Sequence, residues 1–306
     1  MDLPAIVMDN GTGFTKLGYA GNMEPAYQVP TVLSQPAKRK TASRTTVEYD
    51  DYDYYIGDEA FSHIQTHKPE YILRGGMITD WELIEKYWHK SFYHLLRAEP
   101  QNHNVVLTEP PMNTPENREQ MAEIMFETFD VNGLFIGVQA VLALYAGIYA
   151  SKSTEEIKGS DLTGTVVDSG DGVTHVIPIA DGFPIPNAIK HIPIAGRNVT
   201  EYVMQALIDR KEPIPERERK ETARIIKENY CYCCPDIFKQ FEKFDKKEKN
   251  PETGEWEPYS KLKEKSMVLP ISGKRINLRL GYEQFMGPEI FFHPEFVNKD
   301  FREPVD

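Results

Sequence analysis

The sequence is poor in cysteine: its 306 residues include only Cys231, Cys233 and Cys234. A structural zinc site needs four ligands at recognisable spacing, and no fourth candidate lies near these three, so they read as reduced thiols on a helix flank. Long apolar runs are also missing. No uninterrupted stretch could cross a bilayer, and the opening residues Met1-Asp2-Leu3-Pro4 lack the basic start of a secretory signal, so a soluble, intracellular chain without membrane insertion is expected. Positive charge is scarce, with 35 basic against 47 acidic residues and a net charge of −12, which argues against a nucleic-acid backbone as partner. Low-complexity tracts are absent as well. The length leaves room for about two domains.

What is present is one device used twice. Ile6-Val7 leads into Asp9-Asn10-Gly11-Thr12-Gly13-Phe14-Thr15-Lys16, and Val166-Val167 leads into Asp168-Ser169-Gly170-Asp171-Gly172-Val173-Thr174-His175. A β-branched run, an aspartate, a turn with two glycines one residue apart and a second apolar run predict strand, tight turn and strand. The glycines are expected to permit positive φ and to leave backbone N–H groups uncovered by any Cβ, as a loop closing on phosphate oxygens requires. A single copy reads first as an ordinary hairpin. Repetition at this long spacing instead suggests two similar domains facing each other, with a polyphosphate between the turns.

The copies differ after the shared threonine. Lys16 offers a cation suited to phosphate, whereas His175 can orient or deprotonate water. Asp9 and Asp168 stand at matching strand ends, a setting for Mg²⁺ held largely through its own waters. The residues themselves therefore point to a nucleoside triphosphate clamp with Mg²⁺. Its phosphate-binding candidates are Gly11, Thr12, Gly13, Phe14, Lys16, Gly170, Asp171, Gly172 and Val173.

Elsewhere the chain alternates helix and strand signals. Asp80 can cap a helix over about 81–96 whose stripe of Ile84, Tyr87, Trp88, Phe92, Leu95 and Leu96 would be core. Val105-Val106-Leu107 reads as a strand, Thr114-Pro115-Glu116 as a helix start, and Leu134-Phe135-Ile136 as another strand. Residues 138–149 are apolar almost all round, which predicts a helix buried on every side, with Gln139 conspicuous as its early polar residue. Residues 218–232 predict a helix, 239–249 a solvated helix end and loop, and 268–278 a hairpin. The polar stretch 38–53 reads as a solvated loop, and His63 with His67, though at helical metal spacing, as surface residues.

The two hairpins, the first extended by Lys16-Leu17-Gly18-Tyr19-Ala20-Gly21, resemble the phosphate hairpins of actin and the actin-related proteins, and the resemblance covers nearly the whole chain. It implies an α/β actin-like ATPase fold of duplicated domains with a nucleotide cleft between them. The expected domains are 1–150 and 151–306, the second with a charged helical insertion around 198–265 and incomplete at its C-terminal end relative to the family. The resemblance places Gln139 in the interdomain hinge to position the attacking water, with Asp168 and His175 completing the catalytic set. It places Arg224, Lys227 and Glu228 around adenine and ribose, and makes the 38–53 loop a possible filament contact.

Leu96-Arg97-Ala98-Glu99-Pro100, Thr114 to Glu119, Lys190 to Arg197 and Gly287 to Phe296 are similar to the branch that enters the actin-related protein 2/3 complex. Leu144-Tyr145-Ala146 and Pro111-Met112-Asn113 look more like conventional actin or another branch. The implied role is an ATP- and Mg-binding structural subunit that templates nucleation and branching of actin filaments in the cytoplasmic cytoskeleton, at most a slow ATPase. Its implied partners are actin-related protein 2 and the other subunits of the complex, actin, and nucleation-promoting factors. The alternatives are conventional actin, or another actin-related protein that forms or caps filaments. Sugar kinases and heat-shock chaperone ATPase domains share paired hairpins, but the first needs a carboxylate base beside a bound hydroxyl and the second a peptide-binding domain.

Overall fold

The computed structural model describes residues 3–36, 54–151, 158–249, 256–258 and 264–297. The expected loop at 38–53, with its possible filament contact, lies outside the described residues. The chain forms two compact units, Met1–Pro193 and Ile194–Asp306.

In the first unit, β1 (Ile6–Asn10) and β2 (Phe14–Tyr19) make the first hairpin, continued by β3 (Tyr27–Pro30). Next come β4 (Val32–Pro36), β5 (Tyr55–Ile56), α1 (Asp58–Ser62) and β6 (His67–Tyr71), with β4 central in a sheet ordered β5-β4-β6. The ribbon of β7 (Leu73–Arg74) and β8 (Met77–Ile78) turns through Gly75 and Gly76, whose φ values of 56° and 82° suit glycine. Helix α2 (Trp81–Lys90) starts where Asp80 accepts the Leu83 amide at 3.0 Å, and continues as a wider turn over Ser91–Leu96. Its predicted stripe is core: Ile84, Tyr87, Trp88 and Phe92 are buried, each apolar side chain of this kind contributing roughly 1.5–3 kcal/mol.

Strand β9 (Asn104–Glu109) runs parallel to β1, and β10 (Gly133–Val138) parallel to β9, giving a sheet ordered β10-β9-β1-β2-β3. Between them lies α3 (Pro115–Glu123), capped by Thr114, which accepts the Asn117 amide at 3.2 Å. Helix α4 (Gln139–Ser151) then leads to β11 (Gly164–Ser169) and β12 (Thr174–Ala180), the second hairpin, with β13 (Phe183–Pro184) and β14 (Lys190–Ile192) both on β12.

The expectation that α4 is buried on every side is corrected. Ala140 packs with Ile177, Ile179 and Ile189, and Val141 and Leu144 lean on the same cluster, yet Leu142, Tyr145 and Tyr149 are exposed. A sheet covers only one face of a helix, and among the described residues nothing covers the other. Because α4 and the second hairpin share one core, both belong to the compact unit that ends at Pro193, and the expected boundary at 150/151 lies within that unit.

The second unit contains α5 (Gly196–Asp209), α6 (Arg219–Tyr230) and α7 (Ile237–Asp245). It also contains the ribbon of β15 (Lys247–Lys249) with β16 (Trp256–Pro258), the hairpin of β17 (Glu264–Val268) with β18 (Arg275–Arg279), and α8 (Glu283–Glu289). The stretch 247–249 is thus a paired strand where a loop was expected; pairing satisfies its backbone groups despite the charged composition. Val199, Val203 and Leu207 of α5 join Ala223 and Ile226 of α6 and Met267, Ile276 and Leu278 of the hairpin in one core. Buried Glu283 is held bidentately by Arg210, at 2.9 Å for each contact, and accepts the Gly281 amide at 2.8 Å, so no charge is left unpaired at the start of α8.

Candidate phosphate-binding site

The two hairpins share one register. Asp9 faces Lys16 across the first, and Asp168 faces His175 across the second. Their turns also close alike: the Gly11 amide donates to the Phe14 carbonyl at 3.1 Å, and the Gly170 amide to the Val173 carbonyl at 3.3 Å. The divergence after the shared threonine therefore puts a different group opposite each aspartate.

The turn glycines do not adopt the positive φ expected of them. None of Gly11, Gly13, Gly170 and Gly172 is among the glycines with positive φ. Two of them are needed because the turns touch: a Cβ on Gly13 would lie 2.8 Å from Asp171 Cβ, and one on Gly172 would lie 2.8 Å from Thr12 Cγ2. Both approaches are closer than van der Waals contact, so a side chain would drive the hairpins apart.

Asp9 accepts three hydrogen bonds from the groups around it. Lys16 Nζ donates to its Oδ2 at 2.9 Å, while Oδ1 accepts from Thr108 Oγ1 at 2.6 Å and from Gln139 Nε2 at 2.9 Å. Gln139 Nε2 also donates to Thr108 Oγ1 at 3.1 Å. The parallel pairing produces this meeting, because Thr108 near the end of β9 and Gln139 just after β10 sit beside the end of β1. Behind the first turn, Thr31 Oγ1 donates to the Gly11 carbonyl at 2.7 Å, and Trp88 Nε1 to Asn10 Oδ1 at 3.3 Å. The Gly76 amide donates to Thr12 Oγ1 at 2.8 Å, fixing that hydroxyl from the β7–β8 ribbon.

His175 is buried, with its ring edge-on to its cross-strand neighbour His191 at 4.6 Å between centroids. Burial pushes its pKa below the ordinary imidazole value and His191 adds to the effect, with Asp168 opposing both. A neutral imidazole of this kind can accept a hydrogen bond from water.

Both turns open onto a cavity of about 560 Å³. Its lining includes Asp9, Gly11, Thr12, Gly13, Phe14, Lys16, Gln139, Asp168, Gly170, Asp171, Gly172, Val173 and His175, so every candidate of the first unit meets there. Thr108 and Gly76 were not picked out from sequence. The threonine was legible only as the residue closing an apolar strand, and the glycine only as half of a Gly-Gly pair.

The sequence profile of the actin family matches residues 1–305. The chain belongs to the actin family. It is 48% identical to "Actin-related protein 3" of Caenorhabditis elegans over 314 aligned residues, which take in 99% of this chain and 70% of that protein. It is 49% identical to "Actin-related protein 3" of Drosophila melanogaster over 307 residues, again 99% of this chain and 70% of the relative. The expected α/β actin-like fold is therefore established for a chain shorter than these relatives.

The other candidates of this actin-family chain lie in the second unit. On α6, Arg224 is paired with Glu221 and, at 2.8 Å, with Glu228, while Lys227 Nζ donates to the Gly196 carbonyl at 3.1 Å. Burial works against the Arg224 charge, but the two glutamates outweigh it and hold its pKa above the ordinary value. Cys231 is a poor nucleophile, because burial pushes its thiol up to about 12 and its Sγ donates to the Glu283 carbonyl. Among the described residues no group of three or more His, Cys, Asp or Glu could hold a metal, and no helix is long and apolar enough to cross a membrane. His63 stacks on Tyr55 at 3.7 Å between centroids.

Proposed function

We propose that this chain is an ATP-binding structural subunit of an actin-related protein 2/3 complex, templating nucleation and branching of actin filaments, and at most a slow Mg-dependent ATPase. The observation that carries the nucleotide part is the pair of hairpins in identical register, touching through Gly13 and Gly172 at the mouth of one cavity. A polyphosphate fits this cradle because the glycines keep side chains off the turns and Lys16 supplies a cation. The resemblance assigns adenine and ribose to Arg224, Lys227 and Glu228.

A divalent cation fits Asp9 and Asp168 through water better than by direct ligation. Both oxygens of Asp9 are already engaged, and Mg²⁺ gives up its hydration reluctantly. When bound, the ion would neutralise phosphate charge. The protein's own contribution is to orient: Gln139, anchored on Asp9 and Thr108, and neutral His175 would hold a water by hydrogen bonds without being strong bases, which suits slow turnover.

The structural role rests on the relatives named actin-related protein 3. The partners that follow are actin-related protein 2, the remaining subunits, actin and nucleation-promoting factors, in the cytoplasmic cytoskeleton. The test is to reconstitute the complex with this chain in the place of actin-related protein 3 and follow pyrene-actin assembly with activator and ATP. Acceleration with branched filaments is expected. Failure to assemble, or an assembled complex that leaves the lag unchanged, would overturn the proposal.

A further inference from the structure

The second unit contains two orphaned polar atoms one helical turn apart. Glu218, at the entrance of α6, is fully buried, and its Oε2 accepts the amides of Ile271 and Ser272 at 3.2 Å each, tying α6 to the tip of the β17–β18 hairpin. Its other carboxylate oxygen, Oε1, is buried with no hydrogen-bond partner. Four residues on, the Thr222 hydroxyl is also fully buried and also has none.

Threonines and serines inside helices ordinarily bond back to the carbonyl one turn earlier, as Thr200 does to Gly196 at 3.1 Å and Ser91 to Tyr87 at 2.8 Å. Thr222 does not. An unpaired carboxylate oxygen and an unpaired hydroxyl in one interior are each costly, and positions four apart on a helix share a face with about 5–6 Å between Cβ atoms. Neither atom bonds the other, so only a third group between them would satisfy both.

We propose that Glu218 Oε1 and Thr222 Oγ1 form a buried hydration site, holding one water that completes the clamp between α6 and the β17–β18 hairpin. The chemistry selects the occupant. Oε1 can only accept, so the occupant must donate; the hydroxyl can donate or accept, and water serves both. Two protein oxygens are too few to replace the six to eight ligands of a hard cation. The carboxylate is ionised and so suited to accept: burial pushes its pKa up, but the hydrogen bonds from Ser272 and Ile271, with nearby Arg217, outweigh this and hold it below the usual value. The turn it grips is closed by two backbone bonds, from the Leu269 amide to the Lys274 carbonyl at 2.9 Å and from the Gly273 amide to the Leu269 carbonyl at 3.0 Å, with Gly273 at a φ of 67°.

The site is tested in the 306-residue chain with Thr222→Val and Thr222→Ser, read by amide hydrogen exchange at Ile271 and Ser272 and by thermal unfolding. Valine keeps the β-branched shape and removes only the hydroxyl, so helix propensity is nearly constant. If water bridges the pair, the valine variant loses one of its partners. Exchange at both amides should quicken roughly three- to tenfold and Tm should fall, while the serine variant stays near the parent. If the site is dry, valine removes an orphaned hydroxyl; unchanged or slower exchange with an equal or higher Tm would overturn the proposal. Neither readout depends on nucleotide.

Discussion

Replacing Lys16 with methionine separates the phosphate role of this residue from any structural one. The Lys16–Asp9 pair is 2.9 Å long, but the lysine side chain is 47% exposed and the aspartate 28%. An ion pair this open contributes about 0–1 kcal/mol, so Lys16→Met should move Tm by no more than about 2–4 °C. Methionine keeps most of the apolar stem of the lysine, which limits the loss further. Binding should respond on another scale. Lys16 is the only cationic side chain in either hairpin, and a hydrogen bond to a charged partner is worth about 1.5–3 kcal/mol, on the order of ten- to a hundredfold in Kd. Freeing Asp9 adds repulsion toward phosphate in the same direction. Calorimetric titration with Mg-ATP, alongside thermal unfolding without nucleotide, gives both numbers. Unchanged affinity would refute the clamp, and a large fall in Tm with unchanged affinity would make Lys16 purely structural.

Gly172→Ala should weaken ATP binding by roughly tenfold or more, because its Cβ would lie 2.8 Å from Thr12 Cγ2 and 2.9 Å from Thr12 Oγ1, and unchanged affinity in calorimetric titration would show that the turns do not touch. Gln139→Ala and His175→Ala should lower single-turnover hydrolysis by roughly tenfold or more while ATP affinity stays within a few-fold, and normal hydrolysis in both would remove their water-orienting role. The depressed pKa of His175 means that the folded state resists protonation. Its contribution is constant above the unfolded value of 6.5, and stability is lost as pH falls from there toward the folded pKa. His175→Asn should flatten Tm against pH in that window, and an unchanged slope would place the titration elsewhere.

The sequence by itself determined the local elements whose cause is local. The β-Asp-x-Gly-x-Gly-β repeat specified both hairpins, Asp80 and Thr114 specified two helix starts, and the stripe from Ile84 to Phe92 specified a core face, because turn chemistry, capping and periodicity act within a few residues. Tertiary structure decided the rest. Thr108 reaches Asp9 across 99 positions through parallel strand pairing, and Gly76 reaches Thr12 across 64; no short-range pattern encodes either meeting. The close approach that requires glycine at 13 and 172 is hidden for the same reason, since it comes from a neighbouring turn some 160 residues away and not from their own φ. Apolar composition said that α4 could be buried all round, but burial is a property of neighbours: the cluster of Ile177, Ile179 and Ile189 reaches one face, and Tyr145 and Tyr149 remain exposed on the other.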